Sequence, residues 1–440
     1  MRFHSLTQPS LQCDLPTAIL QGLAPDRGLY FPNELPDLGA RTFLDPGLQH
    51  PAELGTLMLA PFVVPHLSRS RLEALLHDAL DFPLPLVEPA PGQHVLELFH
   101  GPTAAFKDVG ARVMARLLSA LHPPGDDPLT VLVATSGDTG SAVAQGFLQM
   151  PGIRVVILYP GGRISPLQER QLTSAGHNVF ALEVDGSFDA CQTLVKNAFL
   201  DTDLRSRCAL TSANSINVAR WMPQAIYYGW ATRLLGRGAH FVVPSGNLGN
   251  LAAGVLAMRL GMPAAGFSAA SNANDVYPRF LAGGDYVPRA SVATLSNAMD
   301  VGDPSNKPRL DALFRGDAST LRKWVRGFSL DDLGTRHSLA RTHEDWGYLA
   351  CPHTAVALAH ARDLASPPSP ASPTPPPPRG PLVTLATAHP AKFTETVHAA
   401  TGVTPPLPAS LAACLTRPTA RTPIPARYEA LREWLLTPPV

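Results

Sequence analysis

An alternation that begins near residue 95 constrains this chain most. Short apolar runs (VLELF, TVLVAT, RVVILYP, NVFALEV, HFVVP, PLVTLAT) are separated by polar or glycine-rich joints and by stretches with helical spacing. Those stretches include FKDVGARVMARLLSAL, SAVAQGFLQ, SPLQERQLTSAG, FDACQTLVKNAFL and LAAGVLAMRLG. Runs this apolar have no wet face, so they belong in a sheet covered on both sides. Helices between successive strands supply the crossovers that parallel strands require. The expectation is an α/β protein with mostly parallel sheet flanked by helices, and 440 residues are enough for two or three lobes with cores of their own.

The first eighty or so residues differ in texture. Helical patterns over Leu15–Gln21, 52–58 and 70–81 are separated by punctuation such as GLAPDRGLYFP, so residues 1–85 are expected to form a helical and irregular N-terminal segment. Residues 86–400 form the expected core. Within it, residues 366–381 hold nine prolines in sixteen positions, which excludes a helix or an interior strand and predicts an extended surface insertion. Residues 401–440 read as a tail whose end, 431–436, is one more packed helix.

Thirty-five basic side chains balance thirty-five acidic ones, so nothing draws the chain in bulk to nucleic acid or to an anionic membrane. No run of eighteen apolar residues suggests a membrane span. The opening MRFHSLTQPSLQCDLP has neither an apolar signal core nor a transit-peptide pattern. Five scattered cysteines form no CxxC pair, and no HExxH occurs, so neither a disulfide framework nor a metal site is expected. A reducing cytoplasm fits this usage.

Two joints are chemically suggestive. SGDTG (136–140) and SGNLG (245–249) each lie between an apolar strand and a helix. Free backbone N–H groups and the positive end of a helix then converge on one spot, where an anion can sit. The alternative for each is a tight turn with a capping residue. Neither loop is GxGxxG and no P-loop pattern occurs, which argues against dinucleotide and NTP chemistry. Asp138 would repel a phosphate, so the first loop is expected to orient a ligand through hydroxyls and amides.

Only five lysines exist: Lys107, Lys196, Lys307, Lys323 and Lys392. Lys107, in HGPTAAFKDVGAR, opens an amphipathic helix just after a strand. The helix dipole and burial there would favour its neutral amine, which can bond an aldehyde. The alternative is a surface lysine capped by Thr103 or paired with Asp108. Lys196 and Lys323 fall on solvated helix faces. His353 and His360, seven apart on a helix, suggest packing.

Eight motifs follow one another in order: ELFHGPTAAFKD, ATSGDTGSAVA, YPGGRISPLQERQL, EVDGSFDACQTLVKNAF, TSANSINVARWMPQ, VPSGNLGNLAAG, TLSNAMDVGDPSN and LATAHPAKF. As a set, with QGLAPDRGLYFP near the start, they resemble the threonine synthase family. Its members are pyridoxal-phosphate enzymes of fold type II, with the tryptophan-synthase-β-like fold. The resemblance spans nearly the whole chain apart from the proline insertion. It implies a two-lobed lyase that turns O-phospho-L-homoserine and water into L-threonine and phosphate. It also implies a small-molecule substrate, a monomer or small homo-oligomer, and no nucleic-acid or membrane partner.

The same resemblance assigns residues. Lys107 is implied in Schiff-base linkage to pyridoxal 5'-phosphate. Ser245, Gly246, Asn247, Leu248, Gly249 and Asn250 are implied around the cofactor phosphate, and Thr387 near the pyridine nitrogen. Ser136, Asp138 and Thr139 would line the loop for the substrate carboxylate. Arg163, Asn214 and Asn217, with Arg220, are implied candidates for the substrate phosphate. Leu248 stands where an aromatic is usual, and Arg163 where a lysine is familiar. A related lyase giving 2-oxobutyrate, a non-catalytic cofactor-binding protein and a proline-motif adaptor are the rival readings.

Overall fold

The computed structural model describes residues 1–122, 128–135, 137–366, 378 and 380–437; Ser136 and most of the proline-rich insertion lie outside them. Two sheets carry the fold. The larger runs, in spatial order, Val325–Ser329, Ala264–Ser271, Ala239–Pro244, Leu382–Ala386, Gln93–Glu97 and Leu86–Ala90. Its first five strands are parallel, and Leu86–Ala90 closes one edge antiparallel. The smaller runs Thr422–Pro425, Val179–Asp185, Ile153–Pro160, Leu129–Ala134 and Leu210–Thr211, all parallel. Ala239–Pro244 and Leu129–Ala134 are buried throughout, as their apolar runs require.

Four helices carry or border the residues singled out in the sequence: α1 (Lys107–Leu121), α2 (Asp138–Gly146), α3 (Gly249–Arg259) and α4 (Pro352–Ala365). α1, α2 and α3 each leave the carboxyl end of a parallel strand, and residue 387 leaves another. In open parallel sheets that edge gathers loops with free polar groups, which is where ligands bind. α1 can pack closely because residue 110 is glycine: a Cβ there would stand 2.6 Å from the Arg220 carbonyl oxygen.

The sequence pattern is corrected at three places. Phe3–Ser5, Gln12–Cys13 and Tyr30–Pro32 form a small antiparallel sheet inside the N-terminal segment, which is therefore not helical throughout. Strands of two or three residues are too short to show a period. Ala264–Ser271, sequence AAGFSAAS, is an inner strand without a single β-branched residue; its two parallel neighbours impose the conformation. The tail contributes Thr422–Pro425 to the smaller sheet. Its two prolines are tolerated because this strand bonds on one side only.

Beneath the larger sheet lies a buried polar cluster. The Ser268 hydroxyl meets His240 Nε2 at 2.8 Å and His360 Nε2 at 3.0 Å. One hydroxyl has one proton and can donate to only one ring, so at least one of the two rings carries its proton on Nε2. His360 also stacks on Phe328, centroids 4.5 Å apart, so packing is its role. Burial, with the charge of Arg326, holds His240 down at about 3 and His360 at about 4. The unfolded chain, with ordinary histidines, takes up protons below about pH 6.5 that the folded chain refuses. Stability is therefore expected to fall as pH drops from 7 to 5, by about 2 kcal/mol for each histidine so held. Urea midpoints at the two pH values measure this, and His360→Gln should flatten the fall.

Candidate active site

Lys107 is the first residue of α1, and backbone bonds fix where it stands. Leu98 N–H donates to the Ala386 carbonyl at 3.0 Å, Phe106 N–H to Thr387 at 2.9 Å, and His389 N–H to Ala104 at 3.0 Å. The loop before Lys107 is thereby zipped to the segment that carries Thr387. Asp108 closes the same turn from inside, accepting from Thr103 N–H at 2.9 Å and Thr103 Oγ1 at 2.6 Å. Burial raises the Asp108 carboxyl to about 6 despite those bonds. Asp108 thus serves Thr103, and the Lys107 amine makes no hydrogen bond among the described residues. Lys107 keeps some accessible surface although protein closes around it, as a group lining a cleft does. Removal from water lowers its pKa to about 8; Asp138 pulls it up, while Arg220 and Lys392 push it down.

The 245–250 loop turns from Ala239–Pro244 into α3. Leu248, at the helix N-cap, has φ +60°, a left-handed conformation uncommon for leucine. A Cβ on Gly246 would stand 2.7 Å from the Met299 Cα, so only glycine lets these backbones touch. The Asn247 side chain is spent on bracing: its Oδ1 accepts from Ser305 N–H at 2.8 Å and Oγ at 2.9 Å, and its Nδ2 donates to Ser215 Oγ at 3.3 Å. Asn306 Nδ2 holds the Asn247 carbonyl at 3.1 Å, and the fully buried Arg309 holds Asn306 Oδ1 at 2.8 Å. Asn250 Oδ1 accepts from Tyr227 and Tyr228, both at 2.7 Å, which leaves its buried Nδ2 without a partner. Among the described residues the amides of Gly246, Asn247 and Leu248 are likewise unengaged. Unsatisfied donors at the head of a helix, in a loop braced from behind, fit the phosphate of pyridoxal phosphate.

The first glycine loop behaves differently. Asp138 opens α2, and its Oδ1 lies 2.7 Å from Lys392 Nζ and 3.2 Å from Gln168 Nε2. Lys392 Nζ also donates to the Thr103 carbonyl at 2.8 Å. Burial works to raise the Asp138 carboxyl, but Lys392 and then Lys107 outweigh it and hold it well below the usual range. His353, expected only to pack, is part of this cluster. Burial lowers it to about 4, with Asp138, Lys107 and Lys392 all acting on it. Its Nε2 accepts from Ala298 N–H at 3.1 Å, so the ring is neutral with its proton on Nδ1.

The other expected residues divide. Thr387 is buried with its N–H 3.4 Å from Thr354 Oγ1, and its hydroxyl is unengaged among the described residues. Thr139 and Asn214 are half-buried. Arg220 is buried and, among the described residues, donates one bond, to the Ala213 carbonyl at 3.0 Å, and its Nε has no partner. Arg163 is exposed on the turn after Ile153–Pro160. Asn217 needs correcting as a substrate ligand. Both its amide hydrogens are used, on Ile19 at 2.8 Å and Ser212 at 3.0 Å, and its oxygen accepts from Ala219 N–H at 2.9 Å. It braces the 212–217 turn against the N-terminal segment and has no donor left for a phosphate. Lys392 was missed, although it is one of only five lysines and lies within LATAHPAKF. Lys196 and Lys323 are exposed, as expected.

Comparison with known proteins agrees with this geometry. The model of the pyridoxal-phosphate dependent enzyme family matches residues 94–372, that of the threonine synthase N terminus residues 2–80, and that of the threonine synthase C-terminal region residues 354–435. Threonine synthase of Escherichia coli (strain K12) is 41% identical over 441 residues, covering 99% of each chain. Its crystal structure superposes with a TM-score of 0.88 at 40% identity and 99% coverage of both chains. The pyridoxal-phosphate-bound threonine synthase of Brucella melitensis gives 0.90 at 34% identity, again with 99% of both chains covered. The chain belongs to the threonine synthase family of pyridoxal-phosphate-dependent lyases.

Proposed function

We propose that this enzyme converts O-phospho-L-homoserine and water to L-threonine and phosphate, the last step of threonine biosynthesis, with Lys107 as the cofactor lysine and proton carrier. The observation that carries the reading is a half-buried amine without a hydrogen bond among the described residues, its pKa lowered to about 8 by removal from water, on a turn tied to Thr387 and in the field of Asp138. When bound, pyridoxal phosphate supplies an aldehyde that links to an amine and a ring that takes up the electron pair left by a departing proton.

This chain's own residues do the rest. Lys107 bonds the cofactor in the resting enzyme. With its amine free, Lys107 would be the base for the Cα proton and would then move protons at Cβ and Cγ, as expulsion of phosphate and addition of water at Cβ require. A flexible side chain at the first turn of α1 can reach adjacent carbons in succession. Thr387 is the partner for the ring nitrogen, and its hydroxyl leaves that nitrogen less firmly protonated than a carboxylate would. Residues 245–250 hold the cofactor phosphate, with Ser245 through Asn250 in the order the helix head dictates. Ser136, Asp138 and Thr139 receive the substrate carboxylate. Arg163, Asn214 and Arg220 are the ligands for the substrate phosphate, and the unpartnered Nε of buried Arg220 is the feature that favours it.

Residues 86–400 form the catalytic core. Segment 1–85 buttresses it through Ile19 and Tyr30, whose carbonyls accept from Asn217 and Arg309, and 401–440 completes the smaller sheet. The zero net charge and the absence, among the described residues, of a helix long and apolar enough to cross a membrane suit a cytoplasmic enzyme acting alone or as a small homo-oligomer.

Three experiments test the reading. Incubation with phosphohomoserine should yield threonine and phosphate in equal amounts; 2-oxobutyrate as the main product would assign the enzyme to the rival lyase class. Lys107→Ala should lose both the borohydride-reducible chromophore and phosphate release. Asn247→Ala is expected to loosen the cofactor loop without touching the chemistry. Pyridoxal phosphate should then bind about tenfold more weakly, the cost of roughly one lost bracing interaction, measured by spectrophotometric titration.

A further inference from the structure

Two ammonium groups compete for one carboxylate in this site. Lys392 has the Asp138 oxygen at 2.7 Å, its side chain is fully buried, and it also donates to the Thr103 carbonyl. It is fixed by the short turn Pro390–Phe393, where Ala391 N–H donates to His389 Nδ1 at 3.1 Å and Lys392 N–H to the His389 carbonyl at 3.1 Å. Lys107 acts on the same carboxylate from the head of α1 and, among the described residues, has no bond of its own. We propose that Lys392 is a positioning residue for Lys107: by occupying Asp138, it keeps that carboxylate from capturing the Lys107 amine and leaves the amine free to bond the cofactor.

Charge decides between the two lysines. Without Lys392, Asp138 would be a buried carboxylate whose one hydrogen-bond partner among the described residues is Gln168, with the neutral His353 ring nearby, and such a group is strongly unfavourable unless it finds a cation. The other lysine whose charge already acts on this carboxylate is Lys107, at the head of α1, whereas Arg220 lies in the field of Asp108. Pairing would keep Lys107 protonated. A protonated amine has no electron pair for the aldehyde carbon: the nitrogen must first give its extra proton to solvent, then add, with the aldehyde oxygen leaving as water. The groups that act on Lys107 are Asp138 from α2, Arg220 and Lys392, and His353 at the head of α4 feels its charge in turn; Asp108, on α1 itself, is turned to Thr103. Lys392 pushes Lys107 toward neutrality directly, and also by neutralising the one carboxylate that pulls the other way.

This role rests on Lys107 being the cofactor lysine, and the test separates the two. Full-length protein is stripped of pyridoxal phosphate, and the rate of its covalent recapture is followed by absorbance across pH. Wild type should show a midpoint near the Lys107 pKa. In Lys392→Met the midpoint should rise by about one pH unit, slowing capture about tenfold at neutral pH. In Asp138→Asn/Lys392→Met both charges are gone, and the midpoint should return close to that of wild type. A merely structural role for Lys392 would lower the yield of competent protein without moving the midpoint. The proposal is overturned by an unmoved midpoint in Lys392→Met, or by a double variant displaced as far as the single one. If Lys392→Met does not fold, Asp138→Asn decides: its midpoint should fall below wild type, and an unchanged value refutes the idea. Lys107→Ala is the control, because a reducible chromophore surviving in that variant defeats the assignment of Lys107 rather than the role of Lys392.

Discussion

The buried ion pair between Asp138 and Lys392 joins the two halves of this enzyme. Asp138 follows Leu129–Ala134 of the smaller sheet, and Lys392 follows Leu382–Ala386 of the larger. Two charges taken out of water are costly, and their mutual attraction repays this only with good geometry and further hydrogen bonds. Both conditions are met: the separation is 2.7 Å, Gln168 bonds the carboxylate, and the Thr103 carbonyl accepts from the ammonium. Gln171, on the helix Pro166–Thr173 of the smaller lobe, donates to the same Thr103 carbonyl at 3.2 Å. Contacts from both lobes therefore converge on the turn that precedes Lys107. The register of one lobe on the other and the surroundings of the reactive amine are set by the same few atoms.

A second tie supports the opposite end of the cleft. Arg309 is fully buried without a carboxylate partner among the described residues, its guanidinium over the Trp221 ring at 4.5 Å. It donates to the carbonyls of Ser215 and Ile216 and to Asn306 Oδ1, and Asn306 in turn donates to the Asn247 carbonyl. One planar cation thus fixes the 212–217 turn and the 245–250 loop relative to each other. Burial lowers its pKa only to about 9, so it keeps its charge at neutral pH. Rigid support of this kind leaves the loop amides aimed outward, where an anion gains from them without first having to order the chain.

Much of this was legible in the sequence because it is local. Apolar runs and helical spacing locate the main strands and the helices after them, and a glycine loop between a strand and a helix implies free amides wherever it occurs. Placement alone left Lys107 open between a surface lysine and a reactive one; the motif HGPTAAFKD, read with the others in order, is what singled it out. What the sequence hid is long-range. Nothing local distinguishes Asn217, which braces Ile19, from Asn214, whose side chain has no hydrogen bond among the described residues. His353 and His360 share one helix face by spacing, yet one borders the charged cluster and the other closes a polar contact under the sheet. Ala264–Ser271 becomes a strand only because its neighbours are strands.

The aspartate in SGDTG posed the sharpest conflict at the level of sequence, since a carboxylate at a helix head that receives anions should repel them. The structure resolves it by supplying a cation from a motif more than two hundred residues away. Once paired with Lys392, Asp138 adds almost no net charge at the head of α2, which still offers its dipole. Replacing the pair with neutral residues could preserve the fold, because buried ion pairs are often exchangeable for apolar groups at little cost. Retaining the charges makes sense where the reactive amine depends on which lysine the carboxylate holds.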